Sequence, residues 1–208
     1  MAEIHGIKPI STAKINNKLI CHCNHVALLQ TARKVFCEQG YAEASMDDLT
    51  AQAGLTRGAL YHHFGDKKGL LSAVVAQIDA EMDARLQAIS DIIDDPWLAF
   101  SMRCHTYLEM ALEPEIQRII MRDSRAVLSD KLAELPTHCV ISMSNMIDKL
   151  IENKIIIKTD SKMLALFIYG SLEATALWIA NSLDGKTQLE QAKSTLDTLL
   201  NSLRNSTE

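Results

Sequence analysis

The chain has 208 residues, 48% hydrophobic and 23% charged, with a formal net charge of −5, which excludes a largely disordered chain and leaves room for one or two domains with a substantial core. An acidic total argues against a chain that coats nucleic acid along its whole length. The charge is uneven, however: residues 1–69 hold 8 Lys+Arg against 6 Asp+Glu, with five histidines besides, while residues 70–208 hold 13 against 20, so the basic balance is confined to the first third. No run of 18 or more apolar residues is present, the first twenty residues lack a compact apolar core of signal-peptide type, and the five cysteines are scattered without framework spacing. A cytoplasmic protein with reduced thiols and no membrane partner is expected.

Residues 1–23 show no convincing helical period, carry Lys8, Lys14 and Lys18, include Pro9, and read as a flexible arm. Cys21, Cys23 and His25 offer thiolate and imidazole groups, but a Cys-x-Cys pair without a second ligand pair is poor metal spacing. Neither a metal nor a cofactor is expected. From Asn24 to Gln39 the residues Leu28, Leu29, Ala32, Val35 and Phe36 mark an amphipathic helix closed by Gly40.

The stretch 45–64 reads as two short helices joined by a tight turn. Ser45 with Asp48 has the form of a capping box, and Met46, Leu49 and Ala53 share one face. Gly54 supplies the left-handed stop, and Thr56 caps a second helix with Leu60 and Phe64 turned inward. Its outer face would then show Arg57, Gly58, Ala59, Tyr61, His62 and His63: small residues that let a backbone approach a surface, beside donors for phosphates and base edges. That is what a recognition helix in the DNA major groove requires, although the same periodicity also describes an αα-corner in a helical core. Asp66, Lys67 and Lys68 place two cations at the start of the next helix.

The run from Val26 to Val75, above all Gly40-Tyr41, Ala53-Gly54-Leu55-Thr56-Arg57-Gly58-Ala59-Leu60-Tyr61-His62-His63-Phe64 and Asp66-Lys67, resembles the N-terminal domain of TetR/AcrR-family transcriptional regulators. The resemblance implies an all-α fold: an N-terminal three-helix domain with helix-turn-helix over residues 24–70, and a C-terminal helical ligand-binding and dimerisation domain over 71–208. It makes Ser45, Met46, Thr56, Arg57, Gly58, Ala59, Tyr61, His62, His63 and Lys67 the expected DNA-binding residues, with Lys67 on phosphate. His25 departs from the Arg or Lys these regulators commonly carry there.

From Asp66, residues Leu70, Leu71, Val74, Ile78, Met82, Leu86 and Ile89 keep a helical period to about Ser90. In the resembled family this connecting helix transmits effector binding. Pro96, Pro114 and Pro136 open further helical blocks, ending near Ala111, Arg122 and Asn153. Ile155–Ile157 is β-branched but has no evident partner strand. Methionines concentrate in this middle region, where Met102, His105, Glu109, Met121, Arg122, Arg125 and Trp178 are the expected ligand-binding residues of a mostly apolar pocket. The region 96–128, with Ala176–Ile179, also resembles the ligand-binding domain of one large TetR-family subgroup. Residues 161–182 are apolar nearly all round, and Leu189, Ala192, Leu196, Leu199 and Leu203 form one stripe on a polar helix.

These features specify a regulator rather than an enzyme, since no catalytic set or phosphate loop is readable. Its partners would be a double-stranded inverted-repeat operator, a small apolar effector, and a second copy joined through the last two helices. The alternative is a small helical carrier or enzyme for an apolar molecule.

Overall fold

The computed structural model describes residues 12–129 and 137–205, with side chains described from residue 24 onward apart from Thr137. The side chains of Cys21 and Cys23 and the first eleven residues of the expected arm lie outside that description. Helix α1 (Thr12–Glu38) begins well before Asn24. The arm is therefore shorter than expected: no Gly or Pro follows Pro9 before Gly40, so nothing in the backbone breaks the helix.

The chain divides into two compact units, residues 1–74 and 75–208, a few residues beyond the expected boundary at 70. In the first, α1 packs on α2 (Met46–Gln52) and α3 (Arg57–Phe64), and α2 packs on α3. Leu28, Ala32, Val35, Phe36, Leu49, Leu60, Leu70 and Leu71 form its core, all at most 2% exposed. Gly40, Gly54 and Gly65 have φ of 87°, 66° and 76°, so each stop between these helices uses a left-handed backbone that glycine adopts without strain.

The long helix α4 (Lys67–Ile92) starts in the first unit and runs on into the second. There follow α5 (Pro96–Met110), a π-helix (Ile116–Ser124) continued by one α-turn (Arg125–Val127) and together labelled α6, then α7 (Thr137–Glu152), α8 (Ser161–Asn181) and α9 (Gly185–Asn201). The i→i+5 winding of α6 is not visible in its apolar pattern. Pro96 sits in the first turn of α5, whose N-cap Asp95 accepts from the Leu98 amide at 2.8 Å. Asp160 and Asp184 cap α8 and α9 in the same way.

Within the second unit α8 is the central element, packing on α5, α6, α7 and α9. Among the described residues it is the one helix long and apolar enough to cross a membrane, but Ala165, Ile168, Leu172, Ala176, Ile179 and Ala180 bury one side of it in this unit, as a core helix does. Ile155–Ile157 does find a partner. Ile157 N donates to Leu203 O and Asn205 N to Ile155 O, both at 3.0 Å, in an isolated antiparallel bridge with the end of the chain. Sequence pattern could not reveal it, because one bridge needs no strand-length alternation.

Candidate nucleic-acid interface and ligand cavity

In the first unit the Ser45 hydroxyl accepts from the amides of Asp47 and Asp48 at 3.2 and 3.5 Å, and the Thr56 hydroxyl from Ala59 at 3.3 Å. Both residues therefore act as N-caps, each satisfying orphan donors of its helix. Thr50, only 5% exposed, donates to the carbonyls of Met46 and Asp47, and Leu55 N bonds Thr50 O at 2.9 Å, which fixes the turn. Leu60 points inward, fully buried, while Arg57, Gly58, Tyr61 and His62 are exposed and Met46, Ala59 and His63 half-buried.

Gly58 carries information because the fold does not need it. A Cβ there would meet nothing nearer than Thr56 Oγ1 at 3.8 Å. A glycine in a helix costs about 1 kcal/mol against alanine, so its presence on an open face is consistent with close approach of something outside the chain.

Two expected DNA contacts are engaged within the chain. Arg57 forms a two-pronged pair with Asp47 of α2, both exposed, and this hydrogen bond holds the Asp47 carboxyl below the usual carboxylate range. Lys67 donates to Ala42 O at 3.2 Å and stands 4.5 Å over the Tyr41 ring. Neither carboxylate nor carbonyl partner was legible in the motif, since they lie 10 and 25 residues away. Arg57→Ala is expected to weaken operator binding by about tenfold or more, whereas Asp47→Asn should tighten it by releasing the guanidinium. Fluorescence anisotropy on a labelled duplex reads both; weaker binding in Asp47→Asn would mean that the carboxylate positions Arg57 instead of competing for it.

His25, at the expected Arg or Lys position, packs 4.7 Å from the Phe64 ring and 5.7 Å from His63, which in turn is 5.3 Å from His62. Burial, then the charges of His62 and His25, lower the His63 pKa.

The second unit holds a partly open cavity of about 620 Å³. Its apolar wall includes Val75, Met82, Leu86, Phe100, Ile120, Met121, Met143, Met146 and Leu172; its polar groups include Asp79, Arg103, Tyr107, Arg125, Tyr169 and Glu173. Arg125 bonds Glu173 at 2.5 Å, and Arg103 donates to Ser90 and Ser142 at 3.1 and 3.3 Å. Tyr107 and Tyr169 face each other at 6.3 Å, and burial raises both phenols. Burial, with the charge of Asp83 second, lifts the Asp79 carboxyl to about 6, although its accessible surface opens onto this cavity. Burial likewise pushes the Cys104 thiol up to about 12.

Of the expected ligand-binding residues, Met121 and Arg125 stand in this wall and five do not. His105 lies 2.8 Å from Asp197 and Glu109 2.5 Å from Lys193, so that face of α5 is turned to α9. Arg122 reaches Ala180 O at 3.4 Å, Met102 is 40% exposed, and Trp178 is 55% exposed beside a shallow groove that includes Leu199. Sequence reasoning missed Asp79, Arg103, Tyr107, Tyr169 and Glu173. The signal lay in pairs of polar residues set one turn apart on apolar helices, at 103 and 107 and at 169 and 173.

Known proteins carry the same arrangement. The model for bacterial regulatory proteins of the tetR family matches residues 28–74, and the tetracyclin repressor-like C-terminal domain matches residues 97–203. A solved TetR-family transcriptional regulator from Pectobacterium atrosepticum is 54% identical, with a TM-score of 0.82 over 96% of this chain and 100% of that one. The transposon Tn10 TetC protein of Escherichia coli is 28% identical over 146 residues, 69% of this chain and 74% of the relative. The HTH-type transcriptional repressor AcnR of Corynebacterium efficiens is 31% identical over 113 residues, 50% and 58% of the two chains, so this chain spans little more than half of that relative's length. A capped helix-turn-helix in one unit and a cavity in the other thus coincide with the two halves of one known architecture, and the chain belongs to the TetR family of DNA-binding transcriptional regulators.

Proposed function

We propose that the protein is a cytoplasmic, homodimeric repressor that holds an inverted-repeat operator and releases it when a small, largely apolar molecule with one or two polar groups fills the cavity. The observation that carries this reading is the cavity itself. Its volume of about 620 Å³ falls within the range of small-molecule sites, and methionine and aromatic walls with a few polar groups suit an apolar guest that must still be oriented. Helix α4 supports the coupling, since its first turns belong to the DNA-facing unit and Met82 and Leu86 further along it line the cavity. Repression is suggested by relatives such as AcnR, described as a transcriptional repressor. A carrier or enzyme would use the cavity alone and leave the exposed Gly58–Tyr61 face without purpose.

For this switch, the effector must bind the DNA-releasing arrangement more tightly, and a coupling of about 1–3 kcal/mol would change operator affinity roughly 5- to 150-fold. The test pairs a thermal-shift screen of apolar and aromatic compounds with operator titrations. Met146→Trp, which places an indole in the cavity, is expected to abolish thermal stabilisation by the hits while leaving operator affinity without ligand nearly unchanged. Hits that stabilise the protein and leave operator affinity unaltered would refute the effector reading.

A further inference from the structure

One part of the cavity wall has a chemistry that an apolar guest does not use. Asp83 of α4 meets His138 and Cys139 from the first turn of α7, 55 and 56 residues away in sequence. Asp83 Oδ2 lies 2.5 Å from His138 Nε2, Asp83 Oδ1 3.5 Å from Cys139 Sγ, and Cys139 Sγ 3.4 Å from His138 Nε2. One carboxylate oxygen, one imidazole nitrogen and one sulfur therefore form a triangle whose corners all lie within 4.8 Å of one another.

Those separations can be set against a zinc tetrahedron. With metal bonds of about 2.3 Å to sulfur and about 2.0–2.1 Å to nitrogen and oxygen, neighbouring ligands stand about 3.6 Å apart along edges that include sulfur and about 3.4 Å apart along the oxygen–nitrogen edge. With Asp83 Oδ1 as the oxygen ligand, both sulfur edges, 3.5 and 3.4 Å, already have that length, and the hydrogen bond between His138 and the other oxygen, Oδ2, would have to give way. The donor set is selective as well. A thiolate beside an imidazole suits Zn²⁺ and other borderline or soft transition metals, and it disfavours Mg²⁺ and Ca²⁺, which take oxygen ligands.

We propose that Asp83, His138 and Cys139 form a binding site for a divalent transition metal of the Zn²⁺ class in the cavity wall. Asp79, one helical turn before Asp83, lines the same wall, and its carboxylate or a water completes four-coordination. Binding displaces the Cys139 thiol proton to solvent and forms the metal–sulfur bond, with no change of oxidation state. The ion would join α4 to α7 across the wall. The site stands apart from the repressor reading, because it needs neither DNA nor an organic effector.

The test is titration of the purified full-length chain with Co²⁺ as a spectroscopic probe, followed by Zn²⁺ competition. One equivalent is expected to give a thiolate-to-cobalt charge-transfer band with tetrahedral d–d absorption, and Zn²⁺ should displace it and raise the melting temperature. Cys139→Ser should remove the charge-transfer band, while His138→Gln and Asp83→Asn should each weaken binding by at least tenfold, all with helical circular dichroism unchanged. A Cys21→Ser/Cys23→Ser variant should keep the band. Loss of the band in that double variant, its persistence in Cys139→Ser, or the absence of stoichiometric binding would each overturn the proposal.

Discussion

Gly69→Ala is expected to abolish measurable operator binding and to lower the melting temperature of the DNA-facing unit. A Cβ at this position would stand 2.0 Å from the Phe64 carbonyl oxygen and 3.2 Å from its carbon. Both are backbone atoms that no rotamer change can move aside. Asp66 holds the first turn of α4 against this carbonyl by accepting from Gly69 N at 2.6 Å, so the clash cannot be relieved without breaking a cap. Overpacking a well-fitted core costs about 1–3 kcal/mol, and a clash with fixed backbone lies at the upper end. The displaced element is the end of α3, the helix expected to face DNA. Gly58→Ala is the matched control: it should hold or slightly raise the melting temperature and reduce only DNA binding, because its Cβ meets nothing nearer than Thr56 Oγ1 at 3.8 Å. Thermal melts and anisotropy titrations on the two variants decide the matter, and equal destabilisation by both would remove the distinction between a glycine needed for packing and one needed at the interface.

Phe167→Glu is expected to convert the dimer to monomers at micromolar concentration. Phe167 is 72% exposed, and Met163, Gly170, Ala174 and Trp178 lie along the same side of α8, with Leu199 of α9 at 58%. An exposed apolar stripe of this length on two adjacent helices is what a helical dimer buries. At about 2 kcal/mol for each lost aromatic anchor, and with two copies across a two-fold axis, dimerisation should weaken roughly a thousandfold. Operator affinity should fall in step, because paired half-sites about 34 Å apart need both recognition helices. Sedimentation equilibrium gives the first result and anisotropy the second. Leu196, one turn of the stripe away but only 7% exposed, belongs to the protomer core, so a charge there would unfold the chain and not merely separate it. A Phe167→Glu protein that remained a dimer would move the interface to another face.

The contrast between Leu196 and Leu199 shows what sequence pattern resolves and what it does not. The helix-turn-helix was legible because its determinants are local: Ser45 and Thr56 cap within three residues, Gly54 turns the chain, and Leu49 and Leu60 are the apolar positions that become buried. The cavity was not, because its wall draws on five separate helices. Apolarity marked α5 correctly as a core helix, yet Met102, His105 and Glu109 differ from Arg103, Cys104 and Tyr107 by only one or two residues, and each residue turns the helix by about 100°. Choosing the polar groups of α5 without knowing its phase therefore selected the face that meets Lys193 and Asp197. The Asp47–Arg57 pair and the Asp83–His138–Cys139 triangle escaped for a related reason: each joins residues from different helices that only the packing brings together.

The winding of α6 bears on how finely the cavity can tell one guest from another. A helix bonded i→i+5 holds one residue more in each closed loop than an α-helix does. Returning any part of it to α-winding expels a whole residue, which slides the downstream residues by about 1.5 Å and rotates them by about 100°. Ile120, Met121, Ser124 and Arg125 of the cavity wall lie on or directly after this segment, where the Ser124 hydroxyl secures the Ile120 carbonyl at 2.7 Å. Along a homologous series of guests, discrimination should accordingly change in jumps: small increments of chain length meet one fixed set of side chains until a residue is expelled, and the next homologue then meets a different set.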